Sequence, residues 1–322
     1  MNKVLILTDG KAGHENQSRA FARALGCEAV LLPVQFKSPL AKALSYLLDL
    51  FGILTPSLFK PFDTRHLTSG IQNTNREYRA VIGTGSGTFY AAKVLAHSLG
   101  VPCGVVLYPR GYRLAGFDCI LAPSFDRPDN VQNVIPIPAN LVAADAAFYE
   151  AGVKAFRERY TPSGRPAVAV IVGGPNKCAT LSADWMRAQL EQIFATYKPE
   201  SHELWVTTSR RTPPEVEAVV DSFPFAYKLL YSKDHFNPIP AFVSLARVLY
   251  VTAESTGMLS EACTFGTAEV HALDNLKSGP HKFRRFIDDL TAAGHLGGAR
   301  KIDLSAQFAR ARELLKIHRE GS

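Results

Sequence analysis

The stretch Thr161-Pro162-Ser163-Gly164-Arg165-Pro166 runs directly into Ala167-Val168-Ala169-Val170-Ile171-Val172 and then Gly173-Gly174-Pro175. Its first part combines proline, glycine and small polar residues, a composition that favours a linker over regular structure. The apolar run that follows is rich in valine, bounded by breakers and too short for a helix. It is predicted to be a strand buried on both faces. A second core therefore starts here, and the domain boundary is placed between 160 and 161.

Outward from this point the pattern is the same on both sides. Short apolar runs alternate with segments of helical period, as in parallel α/β domains. Upstream, strands are predicted at 4–7, 28–32, 80–82, 104–107, 119–122 and 134–136, with helices at 17–25, 40–54, 88–99 and 143–159. Downstream, strands are predicted at 167–172, 203–207, 228–230, 248–251 and 269–273. The helices between them fall at 183–197, capped by Ser182, and at 214–221, 240–245 and 257–265. The fold class is α/β: two Rossmann-like lobes on parallel sheets, facing a cleft. The N-terminal domain covers 1–160 and the C-terminal domain 161–303. A basic amphipathic helix within 304–322 is expected to cross back to the first.

Composition agrees with this division. A chain of 322 residues with 47% hydrophobic and 20% charged side chains can fill two cores, each of roughly 150 residues. Cys27, Cys103, Cys119, Cys178 and Cys263 are scattered without a CxxC pair, which points to reduced thiols rather than a disulfide framework or structural zinc. The apolar run 4–7 is cut short by Asp9-Gly10-Lys11, unlike a signal peptide. No segment has the ~18 apolar residues of a membrane span, and a cytoplasmic protein is expected. The net charge of +7 suits anionic partners such as nucleotides or an anionic membrane surface. Its basic residues are dispersed, with no aromatic-interleaved run, so nucleic acid is not expected as a partner.

Turns at the C-terminal ends of strands are where open parallel sheets bind ligands. The first is Thr8-Asp9-Gly10-Lys11-Ala12-Gly13-His14-Glu15-Asn16-Gln17. Its glycines allow close approach of a ligand, and a helix N-terminus offers free N–H groups to an oxyanion. His14 is a candidate general base near neutral pH, with Asp9 either orienting it or serving as the base itself. Alternatively His14 is only a polar cap. The second turn is Gly83-Thr84-Gly85-Ser86-Gly87-Thr88, suited to phosphate or sugar contact or simply to tight packing of a helix on a strand. Lys11, Gly13, Glu15, Asn16, Gly85 and Ser86 are the candidate acceptor-binding residues.

The third turn, Thr252-Ala253-Glu254-Ser255-Thr256-Gly257-Met258-Leu259-Ser260-Glu261-Ala262, belongs to the second domain. Ser255 and Thr256 are expected to cap a helix and bond a diphosphate at its positive end, with Ser260 and Glu261 one turn on. A carboxylate at Glu261 can accept two ribose hydroxyls. Gly173, Gly174 and Lys177 form the first strand–helix turn of that domain, and Ser209, Arg210 and Arg211 stand at another strand end as an anion clamp. No metal-binding DxD motif stands in a suitable turn, so neither a metal nor another cofactor is expected.

Asp9–Gln17, Gly173-Gly174-Pro175, Thr208-Ser209-Arg210-Arg211-Thr212-Pro213, Thr252–Glu261 and Lys282-Phe283-Arg284-Arg285-Phe286 together resemble the plant "elongated mitochondria" fission-protein family and its bacterial relatives. The resemblance covers nearly the whole chain. It implies a GT-B-like fold, and the bacterial members look like glycosyltransferases of envelope polysaccharide or lipopolysaccharide. A more distant similarity is to the GT-B transferase family that makes lipid II. There a Gly-Gly-His turn opens the first helix and a Ser-Glu helix holds the donor ribose; Gly13-His14 and Ser260-Glu261 stand in similar places. The first loop departs from that family's run of glycines, and Gly266-Thr267-Ala268 lacks its proline.

Leu40, Leu44, Leu47, Phe51 and Leu54 recur at helical spacing opposite Lys42, Ser45 and Asp49, with Lys37, Lys60 and Arg65 as flanks. Segment 40–59 is either a core helix or a peripheral contact with an anionic membrane, on the inner face of the cytoplasmic membrane. The expected function is metal-independent transfer of a sugar, with inversion, from a nucleotide-sugar donor to an envelope glycan or lipid-linked acceptor. The alternatives are a nucleotide-sugar epimerase or hydrolase of the same fold, or a non-catalytic adaptor.

Overall fold

Val4, Leu5, Ile6 and Leu7 are all buried, and alternate residues enter different cores. They lie on β1 (Lys3–Thr8), which pairs in parallel with β2 (Glu28–Pro33) and β3 (Tyr78–Thr84). With β4 (Cys103–Val106), β5 (Cys119–Pro123) and β6 (Val134–Ile137) these make a parallel sheet in the order β2-β1-β3-β4-β5-β6. Helix α1 (Ala12–Leu25) buries Phe21 with Val4 and Ile6 on one face, while α3 (Phe89–Leu99) buries Tyr90 with Leu5 and Leu7 on the other. Helix α2 (Pro39–Leu50) lies between β2 and β3 in sequence. The computed structural model describes residues 2–61 and 78–318, so Arg65 falls outside the described residues.

Contacts divide the chain into one unit of Met1–Ala143 with Leu304–Ser322 and another of Ala144–Asp303. The second unit holds β7 (Ala167–Ile171), β8 (Glu203–Thr207), β9 (Tyr227–Leu229), β10 (Val248–Thr252) and β11 (Glu269–Leu273), all parallel, in the order β11-β10-β7-β8-β9. Its helices are α4 (Ala146–Arg159), α5 (Ala183–Thr196), α6 (Pro214–Ser222), α7 (Ile239–Leu245), α8 (Thr256–Thr264) and α9 (Lys282–Ala292). Ser182 caps α5 through the backbone N–H of Trp185. Helix α10 (Ser305–Leu314) returns to the first unit, where Ala311 and Leu315 are buried with Phe21 and Leu121.

Of the expected boundaries, two move furthest. The division falls at 143/144 rather than 160/161, because α4 packs within the second unit. Its Phe156 is fully buried there, with its ring 5.3 Å from Trp205 and 4.8 Å from Tyr227. Helix α1 begins at Ala12 rather than at residue 17, since the turn is completed within Asp9–Lys11 by a left-handed Gly10. Among the described residues, no helix is long and apolar enough to cross a membrane.

Candidate functional site

The parallel register of β1 and β3 sets Leu7 beside Gly83, so the loops that follow these strands are neighbours. Asp9 leaves β1 and accepts from the Lys11 N–H (3.3 Å), which closes the turn into α1. Its carboxylate meets His14 Nδ1 at 3.1 Å and Lys11 Nζ at 3.1 Å. Burial works to raise the Asp9 pKa, but Lys11 and His14 outweigh it and hold the carboxyl below its usual range. A carboxylate at Nδ1 favours the tautomer protonated there, which leaves Nε2 as the acceptor. Chemically such a pair can serve as a base with its orienting group.

The second glycine turn seats this pair. A Cβ on Gly85 would fall on the His14 ring, and one on Gly87 would stand 2.7 Å from Asp9 Oδ2. These glycines therefore admit the protein's own Asp9 and His14. Ser86 accepts from Lys42 Nζ at 2.8 Å, which brings in a residue the sequence placed on the polar face of segment 40–54. Glu15 is engaged by Arg19 (2.9 Å) and Thr8 (3.3 Å), whereas Lys11, Gly13 and Asn16 are exposed.

In the second unit several expected roles change. The N–H groups of Gly173 and Gly174 are taken by Thr252 Oγ1 (2.9 Å) and Glu254 Oε1 (2.8 Å), so they do not form an open phosphate cradle. Both positions exclude a Cβ, which would strike Glu254 and Ser255 at one and the Arg211 backbone at the other. Ser255 gives α8 no side-chain cap, because its hydroxyl donates to Glu254 at 2.8 Å. The Ser260 hydroxyl turns back to the Thr256 carbonyl at 2.6 Å.

Glu261 accepts from the Tyr149 hydroxyl at 3.0 Å, and burial holds its carboxyl above the usual range despite that bond. The expected arginine clamp divides. Arg211 Nη1 donates to the Gly174 carbonyl at 3.1 Å, while Arg210 lines a cavity of about 470 Å³ with Ser209, Glu217, Tyr231 and His235. Lys177 is exposed. Among the described residues, no group of three or more His, Cys, Asp or Glu side chains gathers as a metal site. Tyr149 escaped the sequence reading, and Glu254 and Lys42 were named there without a site role. Glu254 alone carried a signal, as a carboxylate just past the end of an apolar strand.

Segment 40–59 divides: Leu58 and Phe59 are buried in the core, whereas α2 is not a simple core helix. Leu40 is 81% exposed and Phe51 69%, and Leu44, Leu47, Leu50 and Ile53 are exposed as well. Its polar side is the buried one. Asp49 pairs with Lys93 Nζ at 2.6 Å, each side chain only 3% exposed, and accepts from the Arg113 N–H at 2.6 Å. Ser45 and Tyr112 share a hydrogen bond of 2.9 Å. Burial pulls the Lys93 ammonium below its usual range while Asp49 works against that shift.

The profile of the mitochondrial fission ELM1 family matches residues 12–308. The chain belongs to that family. His14 and both glycine turns of this ELM1-family chain lie inside the matched span, and Asp9 stands just before it. An uncharacterized protein of Rickettsia prowazekii is 26% identical over 167 residues, covering 50% of this chain and 46% of that protein. The chain thus spans about half the length of this curated relative. Among solved structures, the UDP-GlcNAc 2-epimerase of Methanocaldococcus jannaschii is 12% identical with a TM-score of 0.51, covering 99% of this chain and 100% of its own. A Listeria monocytogenes protein assigned to the same enzyme class gives 12% and 0.53, with coverages of 98% and 88%. At this identity the likeness is one of fold, and it agrees with the parallel α/β architecture expected from the sequence.

Proposed function

We propose that this chain is a metal-independent glycosyltransferase acting, with inversion, on a nucleotide-sugar and an envelope glycan or lipid-linked acceptor. The Asp9–His14 pair carries the reading, because a histidine held by a carboxylate at Nδ1 presents Nε2 as a proton acceptor. His14 takes the proton of the acceptor hydroxyl as that oxygen bonds to the anomeric carbon. The bond from that carbon to the diphosphate breaks, and the nucleoside diphosphate leaves with the electron pair. Arg211 and Lys177 offset the charge that develops on it. The deciding experiment is turnover of UDP-, GDP-, ADP- and CMP-sugars with and without a glycan or lipid-linked acceptor. Acceptor-dependent release of nucleotide supports transfer. Acceptor-free turnover would identify an epimerase or hydrolase, and failure to bind any nucleotide would leave an adaptor.

Glu261 is assigned to the donor ribose. Glu261→Ala should weaken nucleotide binding by roughly 2–4 kcal/mol, the worth of two hydrogen bonds to a charged group. Because burial raises its pKa, affinity should fall on acidification sooner than for an ordinary carboxylate. Calorimetry across pH tests both points, and unchanged affinity in the variant removes Glu261 from the site.

The acceptor is placed at an anionic membrane surface, with the protein peripheral on the inner face of the cytoplasmic membrane. The support is the outward apolar face of α2 together with Lys37 and Lys60, both exposed on flanking segments that pair through Phe36 and Phe59. Apolar side chains beside lysines suit acyl chains beside lipid phosphates. The protein is expected to float with anionic but not neutral liposomes and to be released by salt. The double variant Leu47→Glu/Phe51→Glu should stay at the bottom of the gradient. A parent protein that never floats would rule the surface out.

A further inference from the structure

A carboxylate is buried where the second unit is assigned an anionic ligand. The Glu254 side chain is fully buried. Its Oε1 accepts from Gly174 N–H (2.8 Å), Ser255 Oγ (2.8 Å) and Thr252 Oγ1 (3.1 Å), and its Oε2 accepts from Asn275 Nδ2 (2.8 Å). Arg211 Nη2 stands 3.8 Å from Oε1. All these neighbours are donors, which is what a desolvated carboxylate needs, since burying the charge without them is strongly unfavourable. They come from the turns after β7 and β8, the end of β10, the start of α8 and the segment after β11.

We infer that Glu254 is a positioning residue for nucleotide-sugar binding, acting through Arg211 and the Gly173–Gly174 turn; this rests on the donor assignment proposed above. Two observations make Arg211 the route. The glycine N–H groups are consumed inside the protein, so neither glycine offers a free donor to a phosphate. Arg211 remains 47% exposed while Gly174 O and Glu254 hold Nη1 and Nη2 on the protein side. An arginine fixed before the ligand arrives loses less rotamer freedom on binding. Glu254 is too deep to touch the ligand and instead sets the direction of the guanidinium.

The test is a double-mutant cycle on the full chain, with UDP binding measured by calorimetry below the unfolding temperature of every variant. Glu254→Gln keeps the shape but replaces an acceptor with an amide. It should weaken UDP binding about tenfold in the parent, and less than about twofold in an Arg211→Ala background, as coupled residues do. Additive losses, or an unchanged affinity in Glu254→Gln, would overturn the inference. Should Glu254→Gln fail to fold, Arg211→Lys at an exposed position decides. It keeps the charge but not the two-point attachment, so it should bind about as weakly as Arg211→Ala, and full affinity would overturn the inference. If the parent binds neither UDP nor any other nucleoside diphosphate, the donor assignment itself fails and takes this role with it. A defect absent only from the Glu254 and Arg211 comparisons leaves that assignment standing.

Discussion

His14→Ala should lower glycosyl transfer by roughly 10²–10⁴-fold, the usual worth of a positioned base, while leaving nucleotide affinity nearly intact. The variant removes Nε2 but none of the groups assigned to the donor. Asp9→Asn is the informative companion. It retains the size of the side chain yet frees the imidazole from the tautomer that leaves Nε2 unprotonated, so a large loss of turnover is expected here too. Gly85→Ala reaches the same end by another route, since its methyl group would fall on the His14 ring at a position with φ of +80°. Steady-state turnover and calorimetric nucleotide affinity, measured side by side, check all three. Full turnover in His14→Ala would return this turn to a structural cap.

Breaking the Asp49–Lys93 pair should have the largest effect on stability. Lys93→Met leaves a buried carboxylate with Arg113 N–H as a remaining partner and is expected to destabilise the first unit by about 3–5 kcal/mol. The double variant Asp49→Leu/Lys93→Met should recover much of that loss, because it removes both desolvated charges together. Urea unfolding of the full chain, followed by spectroscopic signals from each unit, measures both. A Lys93→Met protein as stable as its parent would show that the pair does not hold α2 in place.

The α/β class was legible because valine-rich strands such as Ala167–Ile171 announce themselves by run length, and Ser182 marks its helix by its position. Partnership was harder. Asp49 belongs on a polar face until Lys93, far along the chain and on another helix, supplies a counter-charge in the interior. That contact, with the bonds of Asp49 to Arg113 N–H and of Ser45 to Tyr112, turns the polar side of α2 inward and leaves Leu40 and Phe51 pointing outward. The glycines gave a similar half-answer. Gly85 and Gly87 were expected to meet phosphate or sugar, or to pack a helix tightly, and Gly173 and Gly174 to line a nucleotide-sugar site, but the groups that stand against them are the protein's own Asp9, His14, Glu254 and Arg211. Sequence spacing shows that room is needed and does not say for whom. The domain boundary moved for the same reason, since Trp205, Tyr227 and Phe242 reveal which core Phe156 joins.

The return of α10 to the first unit has a consequence for biosynthesis. Strands of the first unit, made before the second, remain without Ala311 and Leu315 until all of Ala144–Asp303 has been polymerised. At ribosomal speeds of about 5–20 residues per second that is a delay of roughly ten to thirty seconds. During it, the flank of the nascent sheet that carries Phe21 and Leu121 is open to chaperones or to a neighbouring chain. The second unit, continuous in sequence, meets no such wait. A circular permutant that joins the final helix ahead of β1 would remove the delay, and the connection is short, because the Asn2 side chain already donates to the His318 carbonyl at 3.2 Å.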